Sequence, residues 1–210
     1  RQMKHLAQVN NVLGEVYYKI KSSESALQRH EKALNIYEQI KDEVGEAETK
    51  SYIGGMFEKI GSYPTALEYQ TESLQLFKSM GMKSQIAFVL ENIGSIYEDL
   101  EKYDSAYFNF QKAFLLNSEL GDSLRVIGNL NNLGDVLRKT REAKKGLEFS
   151  KKAAEMSQRL GMLYQQKSAI VDISKAYAEM KDYESAFKYL EQSRLFSGIL
   201  TSVGNPGSSI

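Results

Sequence analysis

The chain has 210 residues in which 27 Lys and Arg balance 27 Asp and Glu, so no global field draws it to nucleic acid or to an anionic membrane. It contains no Cys, which excludes a disulfide, a thiol nucleophile and a thiolate metal site and fits a reducing, cytoplasmic setting. No apolar run approaches the ~18 residues of a membrane span and Arg1-Gln2-Met3-Lys4-His5 opens no signal peptide, so the chain reads as soluble, and its start in mid-pattern reads as a piece of something longer.

Taken in order, the chain repeats itself. Leu13-Gly14 returns as Ile53-Gly54, Ile93-Gly94 and Leu133-Gly134, and then as Ile173-Ser174, each 40 residues after the last. A fixed period of this size marks a repeat architecture. Within each period apolar residues recur at three- and four-residue steps, while Gly and polar residues fall at two fixed places, which predicts a helix, a turn and a second helix. The predicted helices run 3–20, 24–40, 43–60, 64–80, 83–100, 104–120, 123–140, 144–160, 163–180 and 184–199. Gly81, Gly121 and Gly161 fall where a helix end calls for a left-handed residue. Ser22, Ser62 and Asp182 suit N-caps, and Pro64 suits a first turn. The fold class is all-α, an α-solenoid wound as a right-handed superhelix. It forms one array over 1–200, with repeats at about 1–40, 41–80, 81–120, 121–160 and 161–200, followed by a flexible tail, 201–210, rich in Gly, Ser, Asn and Pro.

Gly inside a helix costs ~1 kcal/mol relative to Ala, so its recurrence needs a packing reason. Small residues recur twelve positions later (Ala26, Ala66, Ala106, Gly146, Ala186) and nineteen positions later (Ala33, Ser73, Ala113, Ala153, Ser193), which lets paired helices approach closely. Tyr17, Phe57, Tyr97, Leu137 and Tyr177 are placed to fill the space between layers, and Tyr63, Tyr103 and Tyr183 to cover the turns.

These residues resemble the tetratricopeptide repeat family, whose pattern runs Leu-Gly-x-x-Tyr, then Ala, an aromatic and Ala over ~34 residues. The longer period resembles the long-helix variety seen in kinesin light chains, Pins-type adaptors, bacterial Rap-type regulators and sensor regions that precede kinases or cyclases. The family's aromatic position in the second helix departs here, holding His30, Gln70, Phe110, Ser150 and Leu190. The resemblance implies a non-catalytic protein- or peptide-binding scaffold, the sensory or interaction part of a larger bacterial signalling protein. An alternative is a self-association module that controls an attached kinase or cyclase, with array ends pairing as a homodimer.

Nothing in the sequence assembles a catalytic or cofactor site. His5 and His30 lie on different predicted helices, and the glycines are spread among helix and cap positions rather than gathered in a phosphate loop. The glycine instead serves as a ruler for a binding groove. Residues three before, one after and four after it lie on the face of each first helix turned from the packing stripe. They are Asn11, Glu15 and Tyr18; Ser51, Gly55 and Glu58; Glu91, Ser95 and Glu98; Asn131, Asp135 and Arg138; and Val171, Lys175 and Ala178. The groove is expected to be acidic through three repeats and more basic toward the C-terminus, matching a peptide with basic residues. By family resemblance, Asn92 and Asn132, two before the glycine, would grip the partner's main chain. A cationic clamp for a terminal carboxylate is missing. The run from Arg138 to Lys152 carries Arg138, Lys139, Arg141, Lys144, Lys145, Lys151 and Lys152 against Glu142 and Glu148, around a fourth repeat expected to be the loosest. It reads either as a solvated turn or as a docking edge for an acidic segment, and it lacks the interleaved aromatics of a nucleic-acid site.

Overall fold

The computed structural model describes residues 1–203, with side chains as far as 197. These residues form ten α-helices and no strand: α1 (Gln2–Lys19), α2 (Ser23–Ile40), α3 (Glu43–Lys59), α4 (Tyr63–Ser79), α5 (Lys83–Asp99), α6 (Tyr103–Glu119), α7 (Ser123–Lys139), α8 (Ala143–Arg159), α9 (Leu163–Glu179) and α10 (Tyr183–Val203). The last helix runs past its predicted end. Thr201, Ser202 and Val203 are therefore helical rather than part of a tail, and 204–210 lie outside the described residues.

Every turn is built alike. A residue with positive φ ends each helix: Lys21, Lys41, Gly61, Gly81, Glu101, Gly121, Arg141, Gly161 and Lys181. The N–H of the next residue then donates to a carbonyl five back, as Ser22 does to Tyr17 at 2.9 Å and Glu142 to Leu137 at 2.8 Å. This is the Schellman closure, and Gly is its cheapest occupant because it has no Cβ to crowd the carbonyl. Asp182 caps α10 through the N–H of Ser185, and Asp42 and Asp122 do the same for α3 and α7. Ser22 and Ser62 occupy N-cap positions, yet their hydroxyls bond to Ser25 and Thr65 instead of the backbone.

Helices α1 to α5 belong to one compact unit, residues 1–102, and α6 to α10 to a second, 103–210. In the first, α1 pairs with α2 and α3 with α4, while α2 meets α3 and α4 meets α5. Its core holds Ala47, Phe77, Val89 and Ile93, and a smaller cluster of Ala7, Ala33 and Tyr37. In the second, each helix meets the next and α7 also meets α9. Its core holds Val126, Ile127, Leu130, Ala153 and Ala169, and, further along, Leu147, Ile173 and Ala176.

The recurring glycine has a more specific reason than small neighbours. A Cβ on Gly14 would lie 2.6 Å from the His30 ring, and one on Gly54 would lie 2.9 Å from the Gln70 amide. The residue sixteen positions on, where this chain departs from the family aromatic, is laid over the glycine. At the helix crossing of the fourth repeat the two backbones lie close. A Cβ on Gly146 would sit 2.6 Å from the Gly134 carbonyl, so two glycines let the backbones of α7 and α8 come closer than a side chain on either would allow. In the fifth repeat Ser174 replaces the glycine and donates to the Ala186 carbonyl at 2.7 Å, which ties α9 to α10 by a hydrogen bond.

Candidate peptide-binding site

The first helices of the first unit carry part of the ruler set to one place, with Asn92 beside it. Glu15 and Tyr18 from α1, Glu58 from α3 and Asn92 from α5 line a cleft of about 200 Å³, together with Tyr52, Met56 and Phe88. The walls are mostly aromatic and apolar. The charges facing the cleft are Glu15 and Glu58, with Lys59 opposing them.

Buried hydrogen bonds set this geometry. Asn11 is buried, and its Nδ2 donates to Thr49 Oγ1 at 2.7 Å. Its Oδ1 therefore faces His30 Nδ1 at 3.0 Å and accepts from it. One repeat later Ser51 Oγ donates to Gln70 Oε1, while Gln70 Nε2 donates to the Ser51 carbonyl, both at 3.0 Å. Asn11 thus links α1, α2 and α3 rather than facing a groove, because its amide is the right length to serve a neighbour on each side. Periodicity put Asn11 on the groove face, whereas the structure buries it between three helices, because spacing cannot count a side chain's partners. The His30 ring stacks on Tyr52 with centroids 5.3 Å apart. Burial holds the His30 pKa below its ordinary value, against the opposing pull of the Glu15 carboxylate. Burial also pushes the Tyr52 hydroxyl up to about 12, helped by the nearby Glu15 carboxylate. Tyr52 therefore stays neutral beside Glu15. Glu58 is buried and accepts from Ser95 Oγ at 2.6 Å. Asn92 Nδ2 donates to Ser51 Oγ at 3.2 Å, which anchors that amide at the cleft wall. Glu91 and Glu98 are half-buried on α5 and do not line the cleft.

The second unit treats its ruler residues differently. Asp135 accepts from Arg138 Nε at 3.1 Å and pairs with Lys139 at 2.9 Å. Arg138 also reaches Glu179 on α9, and Lys175 pairs with Asp172 at 2.9 Å. Burial raises the Asp172 carboxyl above its usual range, against the pull of Lys175. The growth of basic charge expected here is thus cancelled, since each cation that ruler positions supply is met by a carboxylate. Glu179 lies outside the ruler positions and was missed; its signal is an acid 41 residues after Arg138. Asn131 and Asn132 are half-buried on α7, and the Asn131 Oδ1 is buried without a hydrogen bond. Its counterpart on α8 is Ser150, which is shorter than His30 or Gln70 at the matching place.

Among the described residues no group of three or more His, Asp and Glu side chains is arranged to hold a metal, and no helix is long and apolar enough to cross a membrane.

Two family models described as Tetratricopeptide repeat match the chain, one over residues 5–79 and the other over 89–120 and 167–193. No curated protein matches it in sequence. Among solved structures it is similar to BtubC (BKLC) from P. vanneervenii, with a TM-score of 0.84 and 16% identity over 95% of this chain and 82% of that one. It is also similar to a putative kinesin light chain from Podosopora anserina with nearly identical TPR-like repeats, at a TM-score of 0.81 and 11% identity over 96% and 99% of the two chains. A Rap protein complexed with Competence and Sporulation Factor gives a TM-score of 0.77 and 15% identity, covering 90% of this chain and 53% of that one. At these identities the likeness is one of fold.

Proposed function

We propose that this chain, which belongs to the tetratricopeptide repeat family, is a non-catalytic scaffold that binds an extended peptide or protein segment through a basic side chain seated in the cleft of its first unit. The observation that carries this reading is the convergence of Glu15, Tyr18, Glu58 and Asn92 on one cleft walled by Tyr52 and Phe88. A Lys or Arg gains on two counts in such a place: carboxylates match its charge, and aromatic faces attract a cation by roughly 0.5–2 kcal/mol. The hydrogen bond from Ser95 holds the Glu58 carboxylate in advance, which reduces the ordering that binding must supply. A Rap protein of this fold solved with a bound factor supports the capacity of the architecture to hold a ligand. The setting we infer is cytoplasmic, as the interaction region of a larger bacterial signalling protein.

A labelled peptide of Lys and Arg interspersed with Gly and Ser tests the site by fluorescence anisotropy. Glu15→Lys is expected to weaken it about 10-fold or more, since a like charge then faces the ligand. Unchanged affinity removes the cleft from the reading. The paired substitution Glu91→Lys and Glu98→Lys asks whether α5 extends the acidic surface.

A second reading is self-association through α1. Val9 and Val16 are 50% and 48% exposed, whereas their counterparts Thr49, Val89, Asn129 and Ala169, and Met56, Ile96, Val136 and Ala176, are all buried. An apolar face of this kind, bare on one helix and covered on its four equivalents, is a place where either a second copy or a preceding stretch of the same chain can pack. Sedimentation at micromolar concentration separates the readings: a dimer that Val9→Glu dissociates favours pairing, and a monomer favours the cleft.

A further inference from the structure

The 40-residue period supplies an internal control for every position, and one position fails it next to a cavity. In repeat two Phe57 stacks on Tyr69 with centroids 5.8 Å apart and planes within 7°, and in repeat five Tyr177 stacks on Tyr189 at 5.5 Å and 15°. The matching pair in repeat four is Leu137 and Phe149, so one ring of the stack is missing. There the structure opens a cleft of about 460 Å³, bounded by Tyr103, Tyr107 and Phe108 from α6, Leu137 from α7 and Phe149 from α8. The equivalent cleft in the first unit, which keeps its ring at Phe57, encloses about 210 Å³.

The surface beside this cleft breaks the pattern as well. Phe108 is 54% exposed and Leu115 is 60% exposed on the outer face of α6. Other repeats place Gln28, Glu68, Glu148 and Lys188 at the first of these positions, and Asn35, Gln75 and Glu155 at three of the four counterparts of the second. The surrounding charge is positive. Segments 104–112 and 141–152 carry Lys112, Arg141, Lys144, Lys145, Lys151 and Lys152 against Asp104, Glu142 and Glu148. Asp104, Glu142 and Lys145 line the cleft itself, with Lys145 held by Glu142, while Lys112 lies over the Phe108 ring at 3.9 Å and Lys152 over the Phe149 ring at 5.7 Å. Arg138 and Lys139, from the same basic run, are engaged by Asp135 and are not part of this surface.

We propose that this cleft is a second docking site, which takes an aromatic side chain from an acidic segment of a partner polypeptide. The partner's ring stacks on Phe149 in place of the ring that repeat four lacks, and its carboxylates meet Lys112 and Lys152, which lie over the neighbouring rings. An aromatic face between Tyr107, Phe108 and Phe149 provides the anchor, and the cations provide charge complementarity and a salt-sensitive on-rate. This inference stands apart from the basic-peptide reading, because it uses other residues, another unit and a ligand of opposite charge.

The test is fluorescence anisotropy on the whole chain with a labelled nonapeptide of Asp and Glu around one central Phe. Replacing that Phe with Ala, or closing the cleft with Leu137→Phe, is expected to weaken binding about 10-fold or more. Leu137→Phe restores the aromatic that the other repeats carry, and it is expected not to lower the midpoint of urea unfolding. The surface pair Lys144→Glu and Lys152→Glu is expected to weaken binding and flatten its salt dependence, and it decides the matter should Leu137→Phe not fold. Any of several results overturns the proposal: no binding of the Phe peptide at millimolar concentration, equal binding of its Ala counterpart, or equal binding by a folded Leu137→Phe. A dimer that Phe108→Ser converts to monomer also overturns it, since the occupant is then a second copy.

Discussion

His30 shows how one side chain ties packing to titration. Its ring fills the space above Gly14, is 2% exposed and donates to Asn11, so the folded protein favours its neutral form. Burial lowers its pKa, with Glu15 pulling the other way. An unfolded His takes up a proton near 6.5, before the folded one does, so the stability is fully present above about pH 6.5 and is lost as pH falls below it. Urea midpoints measured at about pH 7.5 and about pH 5.5 are expected to differ in the parent chain, and His30→Gln is expected to lose most of that difference. Glutamine is the natural control, since repeat two places Gln70 over Gly54 in the same way. The pairing of His30 with Asn11 and of Gln70 with Ser51 was visible in the sequence only as a departure from the family aromatic. Which polar partner each would find depends on side-chain length and distance across a helix pair.

At the scale of the element, the helices are cut to length by their turns. Nine turns share one left-handed position, but Lys, Glu or Arg fills it five times. A residue with a Cβ pays a steric cost there that glycine avoids, partly offset by the greater freedom glycine has when unfolded. Lys41→Gly is therefore expected to raise stability by about 0.5–1 kcal/mol, read as an upward shift in the urea midpoint. The three glycines at period ends, Gly81, Gly121 and Gly161, were legible as caps from the sequence, whereas Lys21, Lys41, Glu101, Arg141 and Lys181 were not, because nothing in their chemistry asks for positive φ. The surrounding hydrogen bonds impose it. The tight crossing of α7 and α8 belongs to this scale too: Gly146 looked like a loss of packing, and in the structure it allows a closer backbone approach to Gly134.

For the molecule as a whole, two compact units each offer a cleft, and the two differ in chemical character. The first sets Glu15 and Glu58 among aromatic walls. The second has aromatic walls, two of whose rings carry a lysine over them. Because the sites share no residue, their variants are expected to act independently: Glu15→Lys leaves binding of the acidic Phe peptide unchanged, and Leu137→Phe leaves binding of the basic peptide unchanged. Anisotropy titrations of both peptides against both variants check this, and a cross-effect above about threefold would mean that the units communicate.

The sequence by itself determined the architecture. A helix pair cannot bury its own apolar face, so a 40-residue rhythm of Leu-Gly, Ala and aromatic residues admits only stacking of like on like, and α1 to α9 begin and end within one residue of where that rhythm puts them. It also located the face on which Glu15, Tyr18, Glu58 and Asn92 lie. Only the tertiary structure decided how those residues are spent. It consumed Asn11 in a buried relay and matched Arg138 and Lys175 with Asp135, Glu179 and Asp172. It also set a wider cleft beside Leu137 than the one beside Phe57. The reason is physical: periodicity fixes the direction in which a side chain leaves its helix, whereas hydrogen bonds, ion pairs and voids depend on distances between helices that are set by every residue in the layer at once.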